Sequence, residues 1–462
     1  MGGFTLSHTG NERSNRMVSE PTIFALSSAS GRCGVAVVRV SGPVAGLVLD
    51  RMAPPRPRPR VASARRLAHP GTGERLDHAL VLWFPAPKSF TGDDVAELHV
   101  HGGRAVIQAV LAALAEVPGC RLAEPGEFAR RAFHNGKIDL TEAEGLADLI
   151  DAETEAQRRQ ALRQADGALS ALYEGWRRGL IEATALVEAA IDFADEGDVG
   201  DRTFQQAVGV VRDLDWAIRR HLDDGHRGEI LREGFHVVLA GPPNVGKSSL
   251  LNALARREAA IVSEEAGTTR DVIEVRLDLE GLPIVVSDTA GLRTAQGKVE
   301  QEGIRRTLER GRVADLILWL MDATAPVAQL PPELAARIGD TLWVVNKTDL
   351  RPDGWTDTLP DDMVAVSART GRGLDELTRR VAGIARERLG GHEHPALTHV
   401  RHRSNLESCR DALAAFLRGS EHQLELRAED LRQAANALGR LTGKVDPEQV
   451  LDQIFKRFCI GK

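Results

Sequence analysis

Apolar and polar positions alternate in the first part of this chain and recur at helical spacing later, so the pattern itself divides the sequence. Short apolar runs predict strands at Gly34–Val40, Ala79–Phe84 and Val95–Val100, and an amphipathic run predicts a helix at Ala105–Ala115. Pro54–Pro59 is predicted to be an extended loop of arginine and proline. This mixture predicts a small α+β domain.

Beyond Asp139 the composition shifts to Ala, Leu, Glu, Arg and Gln, with apolar residues at helical spacing. The helical pattern continues to about Asp224, with a predicted turn at Asp195–Asp201, and returns at Arg401–Leu417 and Gln423–Leu441. Amphipathic helices must bury their apolar faces. We therefore expect the two helical blocks to pack on each other, with the segment between them inserted as a domain; two separate helical arms are the alternative.

The start of the first helical block carries a local signal. Thr141-Glu142-Ala143-Glu144 has the spacing of a capping box, in which the first side chain and the acidic side chain three positions later exchange hydrogen bonds with the backbone. The sequence therefore predicts that Thr141 caps the helix and that Glu144 completes the box.

Four short motifs stand in order between the helical blocks: Gly241-Pro242-Pro243-Asn244-Val245-Gly246-Lys247-Ser248, Gly267-Thr268-Thr269, Asp288-Thr289-Ala290-Gly291 and Asn346-Lys347-Thr348-Asp349. The first lies between the apolar run Phe235–Ala240 and an amphipathic stretch that begins near Ser248. In this strand-loop-helix context, glycines let backbone N–H groups face phosphate oxygens. The ordered series predicts an inserted P-loop (Ras-like) GTPase domain.

Each motif has a chemical role in binding GTP and Mg²⁺. Lys247 is expected to bridge the β- and γ-phosphates. Ser248 and Thr269 are expected to ligate Mg²⁺, and Asp288 to hold a water of the metal. A carboxylate accepts two hydrogen bonds from guanine that adenine cannot donate, so Asp349 is expected to select GTP over ATP.

The predicted GTP contacts extend to the segment after the strand Met363–Val366, where a backbone N–H can reach guanine O6. The full predicted set is Asn244, Val245, Gly246, Lys247, Ser248, Ser249, Ser263, Glu264, Glu265, Ala266, Gly267, Thr268, Thr269, Asp288, Thr289, Ala290, Gly291, Asn346, Lys347, Thr348, Asp349, Ser367, Ala368 and Arg369.

The residue that orients the attacking water in Ras-like switches is missing. That position holds Leu292, whose side chain has no hydrogen-bonding atom, so hydrolysis needs another device. Asn244 and the segment Ser263–Asp271 suggest a monovalent cation, held by an amide oxygen and backbone carbonyls, that supplies the charge of an arginine finger.

Composition narrows the class of protein. A chain of 462 residues is too long to fold around a single hydrophobic core, so its length predicts two to four domains. No apolar run approaches the roughly 18 residues of a membrane helix, and four scattered cysteines argue against a disulfide framework or zinc ribbon, so we expect a cytoplasmic protein. With a net charge of -7, any RNA contact must be local; candidates are Arg401-His402-Arg403, Arg130-Arg131 and Lys456-Arg457.

Several stretches closely resemble the MnmE (TrmE) family of tRNA uridine-modification GTPases, from about Thr22 to Lys462. Besides the GTPase motifs they are Gly34–Gly42 (GVAVVRVSG), Ser89–Gly103 (SFTGDDVAELHVHGG), Pro125–Leu140 (PGEFARRAFHNGKIDL) and the terminal FCIGK. The first residues are polar and carry both signs of charge, so the sequence itself predicts a disordered tail at residues 1–20. The resemblance implies an N-terminal folate-binding-like and dimerisation domain at 21–137. It further implies a helical domain at 138–230 and 389–462, with the GTPase domain at 231–388.

The resemblance also implies a one-carbon carrier in the N-terminal domain, a 5-formyl or methylene form of tetrahydrofolate. The matching positions are Arg39, Glu97, Lys137 and Lys462. Taken alone, such charges would be ordinary surface or ion-pair residues. Cys459 occupies the position of the family's C-terminal cysteine. Two interpretations of this residue stay open, a reactive thiolate and a buried, inert thiol.

For hydrolysis, the resemblance implies K⁺ coordination at Asn244, Ser263, Glu265 and Thr268. It implies that Glu300 orients the water; taken alone, Glu300 would be a helix-surface carboxylate. The sequence departs from the family at Gln296-Gly297-Lys298, where acidic residues are usual, which leaves the conformation of this switch less certain.

The resemblance implies a homodimeric, K⁺-activated GTPase that modifies carbon 5 of the wobble uridine of certain tRNAs. It would add an aminomethyl or carboxymethylaminomethyl group together with an MnmG-like flavoprotein that holds FAD, in a hetero-oligomer. The alternative is a GTP-controlled switch for ribosome assembly built on the same GTPase core. A membrane-associated switch is disfavoured, because the sequence has no lipid anchor or basic amphipathic helix.

Overall fold

The computed structural model describes residues 20–29, 31–193, 197–224, 226–257, 274–288, 313–324, 330–352, 354–390, 396–420, 423–445, 447–458 and 460–461. Apart from Glu20, the predicted disordered tail lies outside these residues. The chain divides into two compact units, residues 1–143 with 446–462, and residues 144–445. None of the described helices is long and apolar enough to cross a membrane.

The first unit is built on a six-stranded sheet in the order β3-β4-β5-β2-β1-β6. Its pairs are antiparallel except for β1 with β6. Its elements are β1 (Thr22–Leu26), β2 (Cys33–Ser41), α1 (Ala45–Met52), β3 (Ser63–Ala68), β4 (Arg75–Phe84), β5 (Val95–Gly102), α2 (Arg104–Ala115), β6 (Cys120–Leu122), α3 (Glu127–His134), the start of α4 (Leu140–Asp151) and α13 (Glu448–Phe455).

Alternation along the strands decides which face of this sheet is buried. In β2, Ala36, Val38 and Val40 are fully buried and pack in one cluster with residues of α1 and α2, whereas Val37 and Arg39 point to the other face. The predicted strands and helix of this part are confirmed. The short edge strands β3 and β6 and the helices α1 and α3 were not predicted.

The end of the chain belongs to this first unit. Ile460 forms a bridge with Pro125, and the Ser27 hydroxyl donates to the carbonyl of Gly461 at 2.8 Å. Gly461 has a φ of +103°, and a Cβ there would lie 2.1 Å from the carbonyl oxygen of Leu26. Only glycine fits that approach, so the terminal motif has a structural requirement at this position.

The second unit contains a six-stranded sheet in the order β12-β11-β10-β7-β9-β8, parallel except for β8 with β9. Its elements are β7 (Phe235–Ala240), α9 (Lys247–Arg257), β8 (Glu274–Leu279), β9 (Leu282–Asp288), β10 (Leu316–Asp322), β11 (Thr341–Asn346), β12 (Met363–Ala365) and α10 (Leu374–Leu389). Three short 3₁₀ segments, Pro332–Asp340, Thr348–Leu350 and Trp355–Thr358, join them. The predicted fold class is confirmed.

The other helices of the second unit are the rest of α4, α5 (Glu155–Ala165), α6 (Ala168–Asp192), α7 (Gly197–Leu222), α8 (Arg227–Glu233), α11 (Val400–Arg418) and α12 (Leu424–Thr442). Four of them, α6, α7, α11 and α12, share one apolar core, whereas Ala156 of α5 and Leu231 of α8 pack in the core of the six-stranded sheet of this unit. Leu180 of α6, Val211 of α7, Phe416 of α11 and Leu431 of α12 belong to a single buried cluster. The two helical blocks therefore pack on each other, as expected, and the alternative of separate arms is wrong.

Two local predictions in the helical part are wrong. The capping box forms two residues earlier than expected: Asp139 accepts from the N–H of Glu142 at 2.9 Å, and Glu142 accepts from the N–H of Asp139 at 2.7 Å. The turn predicted at Asp195–Asp201 overlaps a helix, because α7 begins at Gly197, and residues 194–196 lie outside the described residues.

Glu144 is instead the centre of a buried ion cluster in the second unit. Its carboxylate accepts from Arg401 at 2.9 Å and 3.0 Å and from His402 at 2.7 Å. Burial alone would raise the pKa of Glu144, but the charges of His402 and Arg401 outweigh it and hold the pKa well below the usual value. Burial also lowers the pKa of His402, and the negative charge of Glu144 acts against that shift.

Removing the Glu144 carboxylate is expected to destabilise the protein strongly. Glu144→Ala leaves the Arg401 charge without its buried partner, which costs about 3 kcal/mol or more. Because the pKa of Glu144 is lowered, its stabilisation is complete above the ordinary value of 4.5 and is lost as pH falls below it. Thermal unfolding midpoints of both chains at several pH values measure this.

The matched control is Glu155→Ala, which removes an exposed carboxylate beside Arg158 and Arg159. We expect a small change there, because solvent screens these exposed charges. A Glu144→Ala midpoint equal to that of the control at neutral pH would contradict the role of the buried cluster.

Candidate functional site

The phosphate-loop motif lies at the carboxyl end of β7, between that strand and α9. Gly246 has a φ of +98°, and a Cβ there would lie 2.4 Å from the side-chain nitrogen of Asn346. Asn244 has a φ of 60°, in the left-handed region. The sequence thus folds into the loop that a nucleotide requires, at the point of a parallel sheet where the strand order reverses.

Lys247 lies within this loop and bonds to the loop itself. Its ammonium group donates to the carbonyls of Gly241 and Pro242, each at 3.0 Å. Burial lowers the pKa of Lys247, and the nearby Asp288 acts against that shift. The half-buried cation is therefore held at the loop by neutral oxygens, which phosphate oxygens can replace.

Ser248 and Asp288 meet at the start of α9. The Ser248 hydroxyl donates to the Asp288 carboxylate at 2.5 Å, and Asp288 is almost fully buried at the end of β9. Hydroxyl and carboxylate oxygens are the hard ligands that Mg²⁺ prefers. The two residues therefore fit the predicted Mg²⁺ site.

Asn346 connects the phosphate loop to the segment predicted to bind the base. Its side-chain N–H donates to the carbonyl of Val245 at 2.8 Å, and its oxygen accepts from the backbone N–H of Ala368 at 3.1 Å. The side chain is 2% exposed. Asn346 thus holds three segments in register, which explains the residue type at this position.

Asp349 is oriented by a neighbouring hydroxyl. Ser367 donates to the Asp349 carboxylate at 2.6 Å, and the Ser367 oxygen accepts from the N–H of Thr370 at 3.2 Å. Thr348 is anchored to the carbonyl of Val366 at 2.9 Å. The predicted base-binding residues Asn346, Asp349, Ser367 and Ala368 are brought together at one edge of the sheet.

Asp322 is a site residue that the sequence reasoning missed. It ends β10, and its carboxylate accepts from the Lys347 ammonium at 2.6 Å. Burial would raise the pKa of Asp322, but the hydrogen bonds from Lys347 and Thr324 lower it to about 2. The sequence did contain one signal for Asp322, because this residue directly ends an apolar run that predicts a parallel strand.

Several predicted residues lie outside the described part of the chain, so their roles stay predictions. They are Ser263, Glu264, Glu265, Ala266, Gly267, Thr268, Thr269, Thr289, Ala290, Gly291, Glu300, Cys459 and Lys462.

A second site lies on the sheet of the first unit. Arg39 and Glu97 are direct partners in the pairing of β2 with β5, and their side chains form an ion pair at 3.1 Å. The Arg39 guanidinium also lies 5.8 Å from the ring centres of Phe90 and Phe128. Two predicted folate residues are therefore adjacent.

A cavity of about 260 Å³ opens beside this ion pair. Its lining combines three cations, one carboxylate and two aromatic rings: Arg39, Arg60, Phe84, Lys88, Ser89, Phe90, Val95 and Glu97. The predicted Lys137 does not line it. Phe84, Phe90, Arg60 and Lys88 were not predicted as site residues. Phe84 ends a predicted strand, Phe90 lies in a stretch that carries the family resemblance, and Arg60 and Lys88 lie in loops without a motif.

Comparison with known families identifies the family of this chain. The model of the MnmE helical domain matches residues 140–459, and the model of the GTP-binding protein TrmE N-terminus matches residues 22–137. The chain belongs to the MnmE family. The predicted family and the predicted GTPase class are thereby confirmed.

Individual relatives match nearly the whole chain. The tRNA modification GTPase MnmE of Parvibaculum lavamentivorans is 53% identical over 96% of this chain and 100% of its own length. The human 5-taurinomethyluridine-[tRNA] synthase subunit GTPB3, mitochondrial, is 50% identical over 96% of this chain and 94% of its own. The FeoB G-domain of Methanococcus jannaschii is 27% identical and covers 33% of this chain and 97% of that one, but its TM-score of 0.25 supports no structural argument.

Replacing the carboxylate of Asp349 is expected to shift the preference away from guanine. Asp349→Asn loses the acceptor of two guanine hydrogen bonds, which should weaken GTP binding about 100-fold. Equilibrium binding of labelled GTP and XTP measures the change, because the new amide can donate to the xanthine carbonyl. The exposed Asp361→Asn of the same domain is the control and should bind GTP like the wild type; unchanged GTP affinity in Asp349→Asn would refute its role.

Proposed function

We propose that this protein is a K⁺-activated GTPase that adds an aminomethyl or carboxymethylaminomethyl group to carbon 5 of the wobble uridine of certain tRNAs. The observation that carries the proposal is the match over 96% of the chain to proteins named as tRNA modification GTPases. The name of the human relative specifies a 5-substituted uridine. The adjacent Lys247, Ser248 and Asp288 and the oriented Asp349 support the GTPase part.

In this proposal, the residues of the phosphate loop bind and polarise GTP. Lys247 exchanges its loop carbonyls for phosphate oxygens and offsets the charge that develops during transfer. Ser248 and Thr269 would ligate Mg²⁺, which supplies positive charge to the phosphates, and Asp288 would hold a water of the metal. Asn346 keeps the loop aligned with the base-binding segment while Asp349 reads the guanine.

Hydrolysis needs a substitute for the missing glutamine and arginine finger. We assign the orientation of water to Glu300 and the extra positive charge to K⁺, held by Asn244 with the segment that contains Ser263, Glu265 and Thr268. Support comes from the apolar Leu292 at the usual glutamine position and from the left-handed backbone of Asn244, which turns the loop there.

Loss of the Glu300 carboxylate is expected to stop turnover without stopping binding. Glu300→Ala should lower the rate of GTP hydrolysis at least 100-fold in K⁺ and leave the affinity for GTP within about twofold, because only the transition state uses this group. Single-turnover hydrolysis and equilibrium binding measure the two quantities. Glu302→Ala is the neighbouring control.

The same assay tests the cation. The wild-type rate should fall when Na⁺ replaces K⁺, since a cation site of fixed size discriminates between them. Abolished nucleotide binding in Glu300→Ala would reject its assignment as the water-orienting group, and equal rates in Na⁺ and K⁺ would reject K⁺ activation.

We propose that the cavity beside Arg39 binds the ring system of a tetrahydrofolate derivative, in the 5-formyl or methylene form, which supplies the one-carbon unit. A carboxylate such as Glu97 suits the N–H groups of a pterin, the rings of Phe84 and Phe90 suit its face, and cations suit the glutamate tail. The cavity volume of about 260 Å³ corresponds to a head group. Lys137 and Lys462 complete the proposed set.

The Arg39 side chain is expected to be required for this binding. Arg39→Ala removes a charge-assisted contact and the arginine partner of Glu97, which should weaken binding of 5-formyltetrahydrofolate about tenfold or more. Calorimetric titration of the full chain measures the affinity. Arg104→Ala removes an exposed arginine of the same unit and should bind like the wild type; equal affinity in Arg39→Ala would exclude this cavity as the folate site.

The remaining parts of the proposal concern assembly. We propose a cytoplasmic homodimer that works with an MnmG-like flavoprotein, whose FAD supplies the redox chemistry. The predicted domain boundaries and a chemical role for Cys459 belong to the same proposal and rest on the resemblance to the family.

A further inference from the structure

Five arginines cluster at the outer edge of the sheet in the first unit. They lie in the loop before β3 and on β3 itself, which is the edge strand: Arg56, Arg58, Arg60, Arg65 and Arg66. Residues 51–75 contain seven arginines and one acidic residue, whereas the whole chain has 66 acidic and 59 basic residues. This arginine edge is therefore a local positive surface on an acidic protein.

Carboxylates of the described residues neutralise little of this charge. Arg56 is paired with Asp50. Arg65 donates to the carbonyls of Pro55 and Ala64, each at 3.0 Å, and Arg60 donates to the carbonyl of Lys88. Carbonyls fix the position of a guanidinium but leave its net charge in place. The side chains of Arg58 and Arg66 form no hydrogen bond or ion pair with another described residue.

The backbone at Arg60 adds a second observation. The N–H of Val61 donates to the carbonyl of Arg58 at 3.1 Å, so Pro59 and Arg60 are the central residues of a tight turn. Arg60 has a φ of 62°, in a position where glycine or asparagine normally stands. A large side chain kept in this unfavourable conformation points to a function.

The Arg60 side chain joins the arginine edge to the proposed folate cavity. Its guanidinium lies 5.5 Å from the ring centre of Phe84, and both residues line that cavity. The strand pairing sets Arg66 opposite His78, which alternation places on the same face of β4 as Phe84. The arginine edge therefore borders the cavity.

We propose that the arginine edge binds the phosphate backbone of the RNA whose uridine is modified, beside the proposed folate cavity. The inference rests on the proposed function and names the contact surface for its substrate. Arginine suits phosphate because its planar fork can donate two hydrogen bonds, and such contacts position a nucleic acid without reading its sequence.

The residues that lie between the arginines favour RNA over an acidic protein as the partner. Protein interfaces concentrate their binding energy in aromatic and aliphatic anchors. Within the fully described segment 56–66, Val61 is the one exposed large apolar side chain, and the other exposed residues are proline, alanine and arginine. Charged side chains on an edge strand also prevent pairing with another sheet, which is a second reason for arginines at this place. The test must therefore measure RNA binding directly.

The test uses the full-length protein and a fluorescently labelled anticodon stem-loop RNA, with affinity measured by anisotropy over a range of salt concentrations. The variant is Arg58→Ala with Arg66→Ala, since neither side chain has a described partner to lose. We expect binding to weaken about tenfold at low salt and the log-log salt slope to fall by about 0.7 for each phosphate that the variant no longer neutralises. Arg104→Ala is the control and should keep both the affinity and the slope of the wild type.

The outcomes separate this inference from the proposed function. Wild-type binding that persists unchanged in the double variant, with the same salt slope, overturns the arginine edge alone. A wild-type chain that does not bind the stem-loop contradicts both this inference and the tRNA substrate. Unchanged RNA binding together with failure to capture the flavoprotein partner would assign the surface to a protein instead. Thermal midpoints of the variants show whether the fold is intact.

Discussion

The second unit depends on one buried carboxylate. Glu144, in α4, is bonded to Arg401 and His402 of α11, more than 250 positions away in sequence. A carboxylate can remain buried only when cations and donors surround it, so the two helical blocks must meet at this point. The chain between them must therefore leave and return at the same place, which makes the GTPase domain an insertion fixed at both ends.

That constraint gives the nucleotide domain a physical connection to the helices. The Gln157 side chain of α5 donates to the carbonyl of Arg232 at 3.0 Å just before β7, and the N–H of Ala156 donates to the carbonyl of Gly281 between β8 and β9. These bonds join α5 to the segment that leads into β7 and to the turn between β8 and β9. A change in the loops around GTP can thus reach the helices through packed elements.

Sequence reasoning succeeded where a signal was periodic or stood in a motif. The strand Phe235–Ala240 and the helices near Arg401–Leu417 and Gln423–Leu441 were located within one or two residues. It failed where a feature depends on contacts that form only in the folded structure. Asp139 rather than Thr141 caps α4, and Asp322 matters because the fold brings Lys347 to it. Likewise, the cavity around Arg39 draws Arg60 and Phe90 from loops that no repeat marks.

The central claim is that GTP hydrolysis by this chain serves the modification of tRNA. The most direct measurement is nucleoside mass spectrometry of bulk tRNA from cells with and without the protein. The account predicts that aminomethyl-type groups on the wobble uridine disappear without the protein and return with the intact chain, but not with Glu300→Ala. Unchanged tRNA in cells that lack the protein would contradict it and would favour a GTP-controlled switch in ribosome assembly.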